Sequence, residues 1–453
     1  MRRQWIRLGV LGILSFLVYI SVVLRLSRRP VFLLWGFPQA DFIPFFLVHF
    51  AILFLLLLIA AWWVFQGEAE GRWTLRLILG FAVLFRLLLV PTPPILSSDI
   101  FRYVWDARVQ AAGVSPYLSR PVDFATEDVK HDPLYLQQNR PSVPTIYPPL
   151  AQLAFWAVRG VAGERITGMK GLMVLADLCA VGLLIRLLSS LGLPRSRVIL
   201  YAWHPLVVFE CAGSGHVDAL AVPLVLAAVL AWQRNQTAAV GMALGAATLV
   251  KIYPILLVPA FCGKRRWQIP AACALTIVLG YLPYVSQVGF HVLGHLPRFL
   301  ADPDEVFNPS LMGLLLLLGK GFGGVSIVWV SWVGRVSLMA TLLLLLRSEP
   351  DRPADLLARI WVVGTAMTLL TMTFHPWYLM WLLPYLAIQP RAAWTYLSGA
   401  IALSYLFYVA PPTVRVVTGV VEYAPFLFLL VGKERNPLAA SSHRPSGLAP
   451  DTS

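Results

Sequence analysis

The chain has 453 residues, 58% of them hydrophobic and 13% charged. Soluble domains average about 25% charged residues, so this composition excludes a soluble globular protein and makes lipid the solvent for much of the surface. The formal net charge of +14 does not point to nucleic acid. The Arg and Lys residues lie mainly in short loops between apolar runs, where they set topology and meet anionic headgroups.

The N-terminus, Met1-Arg2-Arg3 and then an apolar run, resembles a signal peptide. Arg25, Arg28 and Arg29 follow it with no small-residue cleavage site, so a retained first span is predicted. A helix needs about 20 apolar residues to cross the hydrocarbon core. In chain order, spans are predicted at 8–24, 45–65, 75–91, 170–190, 198–212, 216–232, 267–285, 325–346, 359–374, 394–410 and 416–431. Runs at 150–162, 237–249, 254–262, 311–319 and 377–388 are too short to cross alone; such pieces are tolerated inside protein or along a cavity. The predicted fold is therefore all-α and polytopic, with about 11–13 membrane helices. One transmembrane domain is expected over 1–435, with an ordered outer loop at 92–149. A disordered cytoplasmic tail rich in Ser, Pro and Ala is expected at 436–453. Cys179, Cys211, Cys262 and Cys273 lie in or beside apolar runs without CxxC spacing, which argues against a disulfide framework or a zinc site.

Orientation follows from the basic loops. The triplet Lys264, Arg265 and Arg266 is placed in the cytoplasm, joined by Arg195, Arg197, Arg234, Arg347, Arg352, Arg359, Arg391, Lys433 and Arg435. This requires 237–262 to be a hairpin that enters and leaves on one side, bent near Lys251-Ile252-Tyr253-Pro254, where Pro254 breaks the helix. Arg25, Arg28 and Arg29 fall on the outer side as exceptions. The same parity gathers the 92–149 loop, Gly215-His216-Val217-Asp218, the Lys251 bend, the 286–309 loop and Phe374-His375-Pro376-Trp377 on the outer side.

These outer segments carry the residues suited to chemistry, each with two readings. Asp99, Arg102, Tyr103 and Asp106 stand at i, i+3, i+4 and i+7, one face of a helix. A carboxylate, a guanidinium and a phenol together can bind a phosphate and activate a hydroxyl. Equally, Ser97 or Ser98 is an N-cap, Asp99 favours the helix dipole, and Arg102 with Asp106 is a plain ion pair. Tyr147, in Tyr147-Pro148-Pro149, is either a loop corner at the interface or part of a binding surface. His216 and Asp218 are costly at the mouth of a span unless used or paired; they bind ligand or fix helix packing. Metal ligation is the weaker reading, since no HxxxH or carboxylate cluster is present. Lys251 inside an apolar run either holds a lipid-linked phosphate or snorkels to headgroups. His375, beside Pro376, donates to a phosphate or satisfies carbonyls freed by the proline. His204-Pro205 looks like the same device within a span, in a structural role.

Residues 97–117 (SSDIFRYVWDARVQAAGVSPY), followed by Tyr147-Pro148-Pro149, resemble the first outer loop of bacterial GT-C superfamily glycosyltransferases. The closest set is the polyprenyl-phosphate-sugar-dependent mannosyltransferase-like proteins. Gly215-His216-Val217-Asp218-Ala219, Leu249-Val250-Lys251-Ile252-Tyr253-Pro254 and Phe374-His375-Pro376-Trp377-Tyr378-Leu379 resemble further segments of that set in the same order, over roughly residues 75–390. The resemblance implies a GT-C-like transmembrane bundle with juxtamembrane helices in the first large outer loop. It implies transfer of a monosaccharide, mannose as the first guess, from a polyprenyl-phosphate carrier to a glycan or glycolipid acceptor on the outer face of the bacterial cytoplasmic membrane. By position it makes Asp99 the general base. Lys251, Arg102 and His375 face the donor phosphate, His216 and Asp218 hold sugar or acceptor hydroxyls, and Tyr103 and Tyr147 stack on a sugar ring. Asp106 and Tyr378 complete the expected substrate-binding set. Many relatives carry two adjacent acidic residues where this chain has Ser98-Asp99, which counts against a metal bridged by an acidic pair. No cofactor is obligatory, since the lipid phosphate is already a good leaving group, and a divalent metal is not favoured. The rival readings are a lipid-linked glycan flippase or transporter, an outer-face glycan ligase or polymerase, and an assembly scaffold.

Overall fold

The computed structural model describes residues 2–28, 41–66, 72–263, 267–302, 305–321 and 324–432. The triplet Lys264-Arg265-Arg266, Arg29, Lys433, Arg435 and the expected tail at 436–453 lie outside the described residues. The longer helices are α1 (Arg2–Arg28), α2 (Phe42–Phe65), α3 (Arg72–Leu89), α4 (Asp99–Ala111), α5 (Pro149–Ala162), α6 (Ile166–Ser190) and α7 (Asp218–Gln233), followed by α8 (Thr237–Thr248), α9 (Gln268–Val288), α10 (Leu311–Gly321), α11 (Ile327–Leu345), α12 (Pro353–Leu370), α13 (Ala392–Ala400) and α14 (Pro412–Val431). Among the described residues no strand forms; the nearest approach is an isolated parallel bridge between Phe307 and Thr373.

Among the described residues, seven helical segments are long and apolar enough to cross a membrane: Trp5–Ser27, Phe42–Phe65, Ile166–Ser190, Gln268–Ala301, Ile327–Leu345, Pro353–Leu370 and Pro412–Val431. Leucines, valines and tryptophans stand exposed along them, including Leu55, Leu175, Val278, Trp329 and Phe428, as lipid-facing surface requires. The protein is an all-α polytopic membrane protein. One main hydrophobic core runs from Leu8 to Phe426.

Helix directions follow from side-chain contacts. Tyr19 packs on Phe85 with ring centroids 4.9 Å apart, and a Cβ at Gly12 would enter the ring of Phe81, so α1 and α3 run parallel. Ser21 meets His49 at 3.0 Å and Arg7 lies over Trp63, so α2 runs against α1. The C-terminal ends of α1 and α3 therefore share one end of the bundle with the loop that follows α3. There Arg25 is paired with Asp41 at 2.8 Å, which offsets the charge that the basic-loop rule leaves on that side.

The 237–262 segment is the expected hairpin. The Thr237 hydroxyl donates to Gln268 at its base. At its tip the Leu249 carbonyl accepts from the amides of Leu150 (2.9 Å) and Ala151 (3.2 Å). The first-turn donors of α5 thus satisfy an orphan carbonyl at the end of α8. Arg186, Arg195, Arg234 and Asp351 line a groove at the opposite end, one α7 length from Asp218, about 24 Å for its 16 residues.

Two predicted spans differ in detail. The 198–212 run is broken into Arg195–Val198, Ile199–Ala202, Pro205–Val208 and a π-helical turn at Phe209–Ser214. Pro205 cannot continue a helix, and the freed Leu206 amide donates to His204 Nδ1 at 3.2 Å while His204 Nε2 meets Ser398. The 394–410 run is α-helical to Ala400 and 3-10 from Ile401 to Tyr408.

Three buried polar devices hold the bundle. Arg86 is fully buried and pairs with Asp177, which also accepts from Tyr201 at 2.7 Å; Arg86 further donates to Ala82 and Ala202 carbonyls. Lys170 caps the end of α3, donating to the carbonyls of Leu89 (3.1 Å) and Thr92 (2.8 Å). Arg359 gathers the carbonyls of Leu345, Ser348, Pro259 and Cys262. Removing one member of a buried pair such as Arg86–Asp177 costs about 3–5 kcal/mol, because the other charge is left unpaired. The four cysteines are free.

Candidate functional site

The loop after α3 enters the site through two fixed points. Lys170 holds its start, as above. The π-helical turn then ends at Gly215 (φ 76), where a Cβ would meet Ile100 and Lys170; glycine alone takes this left-handed, crowded position without strain. α4 begins at Asp99 and packs on α5, and both helices lie at this end of the bundle. α5 buries Pro149, Ala151, Gln152 and Phe155 and exposes Leu153, Trp156 and Val161, the pattern of a helix lying in the interface plane. Arg108 bridges Asp132 and Glu164 across the loop.

Between these elements lies a cavity of about 460 Å³, walled by Ser97 to Asp99 and Arg102, by 138–147, by Lys251, and by His295, Phe299, Glu305 to Phe307, His375, Trp377, Tyr378 and Tyr408. The segments that charge parity gathers on one side thus meet in space. Of the ten sequence-predicted site residues, Asp99, Arg102, Tyr147, Lys251, His375 and Tyr378 line this cavity.

Asp99 is half-buried at the first turn of α4. Its Oδ1 accepts from Asn139 Nδ2 at 2.7 Å. Arg102 donates from Nε to Asp106 Oδ1 (2.7 Å) and from Nη1 to the Val143 carbonyl (3.1 Å), and its Nη2 has no partner among the described residues. Lys251 Nζ stands 3.5 Å from Asp218 Oδ2 and over the rings of Tyr147 (5.4 Å) and Tyr378 (5.9 Å), where an ammonium is favoured by the ring faces. Tyr253 donates its hydroxyl to the other Asp218 oxygen. Asp218 and Tyr253 therefore aim the lysine.

His216, Trp377, His375 and Phe307 form a ladder of stacked rings, with centroids 4.0, 4.3 and 4.2 Å apart in turn. The His375 end opens on the cavity. His375 lies in the connection after α12, and burial holds its imidazole below the ordinary value; Lys251 adds to this and Asp99 opposes it. It is thus a neutral hydrogen-bond donor or acceptor near pH 7.

Four predicted site residues do not line the cavity. Tyr103 is fully buried and stacks on Phe155 at 4.5 Å rather than on an open face; its hydroxyl accepts from the Val217 amide. Asp106 is saturated by Arg102, by the Thr145 hydroxyl (2.6 Å) and by Gln152 (2.8 Å). His216 and Asp218 lie behind the wall, one under Trp377 and the other under Lys251. These four fix the wall.

Several cavity residues escaped the sequence reading. Asn139, Gln138, Arg140, Glu305, His295 and Tyr408 sit in loops or at helix ends without periodic signal. Arg140 closes on Glu305 at 2.6 Å, joining the 137–144 loop to the strap that carries Phe307. Glu210 was missed for another reason: it sits in the π-helical turn, fully buried, accepting from Tyr405 and 3.3 Å from His216. A lone acid in a hydrophobic run was the available signal. Among the described residues no three His, Cys, Asp or Glu side chains come together as a metal-binding group.

A helical membrane bundle with a polar cavity at one end, carrying a carboxylate on one wall and an aimed ammonium on another, defines a membrane protein built to take a polar ligand at that end. The chain belongs to the MptA_B family, whose model, described as alpha-(1->6)-mannopyranosyltransferase, N-terminal domain, matches residues 6–264. No curated protein and no solved structure matches the chain. The matched region contains Asp99, Asn139 and Lys251; the wall from His295 to Tyr408 is contributed by residues beyond it. The protein is thus placed among membrane mannosyltransferases, with a sugar donor and an acceptor as its substrates.

Proposed function

We propose that the protein moves mannose from a polyprenyl-phosphate carrier to a glycan or glycolipid hydroxyl on the outer face of the bacterial cytoplasmic membrane, with Asp99 as general base and a GT-C-type bundle as scaffold. The observation that carries this reading is the pairing, across one cavity, of a carboxylate with one oxygen bound by Asn139 and an ammonium aimed by Asp218. Asp99 takes the proton of the acceptor hydroxyl. The acceptor oxygen attacks the anomeric carbon as the bond from that carbon to the phosphate oxygen breaks. The polyprenyl phosphate leaves with the electron pair, and Lys251, helped by a hydrogen bond from His375, meets its growing charge. No metal is assigned a step. The polyprenyl tail is assigned to the groove of about 490 Å³ between α5 and α9, lined by Leu150, Leu153, Trp156, Leu279 and Pro283. The grouping of Arg186, Arg195 and Arg234 away from the cavity supports the outward orientation.

The test is consumption of radiolabelled polyprenyl-phosphate mannose by detergent-purified protein with a membrane lipid extract. Asp99→Asn is expected to melt like the wild type and to lose about 10²–10⁴ in rate. Equal activity of the two proteins would remove Asp99 from the reaction. Absence of donor consumption by the wild type, with glucose, arabinose and galactose carriers tried as well, would turn attention to lipid movement across vesicles.

A further inference from the structure

Gln138 is the least expected residue of the cavity wall. Its side chain is 0% exposed, yet neither Oε1 nor Nε2 bonds to any protein group among the described residues. A buried carboxamide with both ends open costs about 1–3 kcal/mol per unmet group, so a partner that offers both a donor and an acceptor fits it. The vicinal hydroxyls of a sugar do this. The neighbouring residue, Asn139, holds Asp99 Oδ1, so Gln138 stands one residue from the group that anchors the carboxylate. The nearby Arg102 Nη2 is buried and open in the same way, and Arg102 also lines the wall.

The wall is thus divided. Lys251 stands at the membrane-side hairpin tip, over Tyr147 and Tyr378. Gln138, Asn139, Arg102 and Arg140 come from α4 and the loop beyond it. A donor whose tail lies in lipid brings its phosphate to the lysine side. The loop side, which carries the base, is left for the molecule that supplies the attacking hydroxyl.

We infer that Gln138, with the open Nη2 of Arg102, forms an acceptor subsite that binds ring hydroxyls of the acceptor's terminal sugar and so sets which of its hydroxyls meets Asp99. This rests on the transferase reading above. Gln138 touches substrate but neither gives nor takes a proton in the transfer.

The experiment uses the full-length protein in detergent, polyprenyl-phosphate mannose, and a soluble mannobiose acceptor with its set of singly deoxygenated analogues. Gln138→Leu is expected to raise the acceptor KM about ten- to a hundredfold, with a much smaller change in the donor KM. With wild type, one deoxy acceptor should show a similar penalty, and that penalty should vanish in Gln138→Leu. Gln138→Asn, which keeps the carbonyl acceptor and the NH2 donor one carbon short, covers the case in which leucine impairs folding and should retain part of the binding. Donor consumption by the wild type, abolished in Asp99→Asn, reports separately on the transferase reading. If that control holds and Gln138→Leu shifts the donor KM instead, or shifts neither, the acceptor subsite is wrong. If the wild type consumes no donor, the subsite falls together with the reading it rests on.

Discussion

Two lysines, Lys170 and Lys251, show how differently this fold uses one kind of side chain. Both interrupt apolar sequence and both sit at the same end of the bundle. Lys170 is 0% exposed, and its ammonium is met by the carbonyls of Leu89 and Thr92 and by the Thr92 hydroxyl. Lys251 keeps 12% of its side chain exposed, has one carboxylate at 3.5 Å, and faces the cavity across two tyrosine rings. The first lysine has no donor left for a ligand. The second is aimed but not saturated. A saturated polar group holds the fold together, whereas one with open hydrogen-bonding capacity at a cavity is available to substrate.

The largest effect should come from separating these two roles. Lys251→Met is expected to lower the turnover of folded molecules about 10²–10³-fold, because the lost interaction strengthens as the phosphate leaves, and to cost some stability by leaving buried Asp218 without its ammonium. Lys170→Met should act on stability alone. Loss of several acceptor contacts at the end of α3 should cost about 2–4 kcal/mol and lower the melting temperature, while the surviving folded molecules keep their turnover per molecule. Melting curves and single-turnover rates on the same preparations decide between these patterns. Turnover that falls equally in both variants at equal stability would erase the distinction.

A smaller effect is expected from acidification. His375 has a folded pKa held below that of the free side chain, about 6.5 when unfolded. Above that value both states are neutral and the histidine adds no pH dependence. As pH falls below it, the unfolded chain binds a proton that the folded protein refuses, so stability declines by up to about 1.4 kcal/mol per pH unit. His375→Gln should flatten the decline of melting temperature between pH 6.5 and 5 (both on the order of ordinary imidazole titration). An unchanged slope would show that His375 takes up its proton freely.

The smallest effect belongs to Arg140 and Glu305. Their pair is short, 2.6 Å, but the arginine side chain is 51% exposed, and exposed pairs contribute about 0–1 kcal/mol. Arg140→Gln should leave melting almost unchanged and alter substrate KM less than about threefold. A larger change in KM would make the strap between the 137–144 loop and Phe307 part of the binding surface.

Much of this architecture is legible in the sequence because the hydrophobic requirement of a bilayer is local. A run such as 45–65 or 170–190 needs lipid or protein around it whatever else the chain does, and both form helices close to the expected bounds. The broken run at 198–212 is less legible. Pro205 announces a break, but the π-helical turn that follows depends on Tyr405 and His216 closing around Glu210, contacts made across the bundle. Basic-loop counting groups five separated segments on one side, since parity turns a charge pattern into a side of the membrane; that residues from four of them line one cavity is decided by packing.

What the sequence by itself determined is the class of protein, the helical segments, and a list of polar residues too costly to leave in lipid without a purpose. Only the tertiary structure decided which of those residues are already spoken for. Asp99 and Asp106 stand two turns apart on one helix face and look alike in the sequence. Asp106 is closed off by Thr145 and Gln152 as well as by Arg102, whereas Asp99 is bonded by Asn139 at one oxygen and opens on the cavity. Helical periodicity reports a residue's neighbours within its own helix; hydrogen-bonding capacity is used up by partners some forty residues away, and that is settled only when the chain packs.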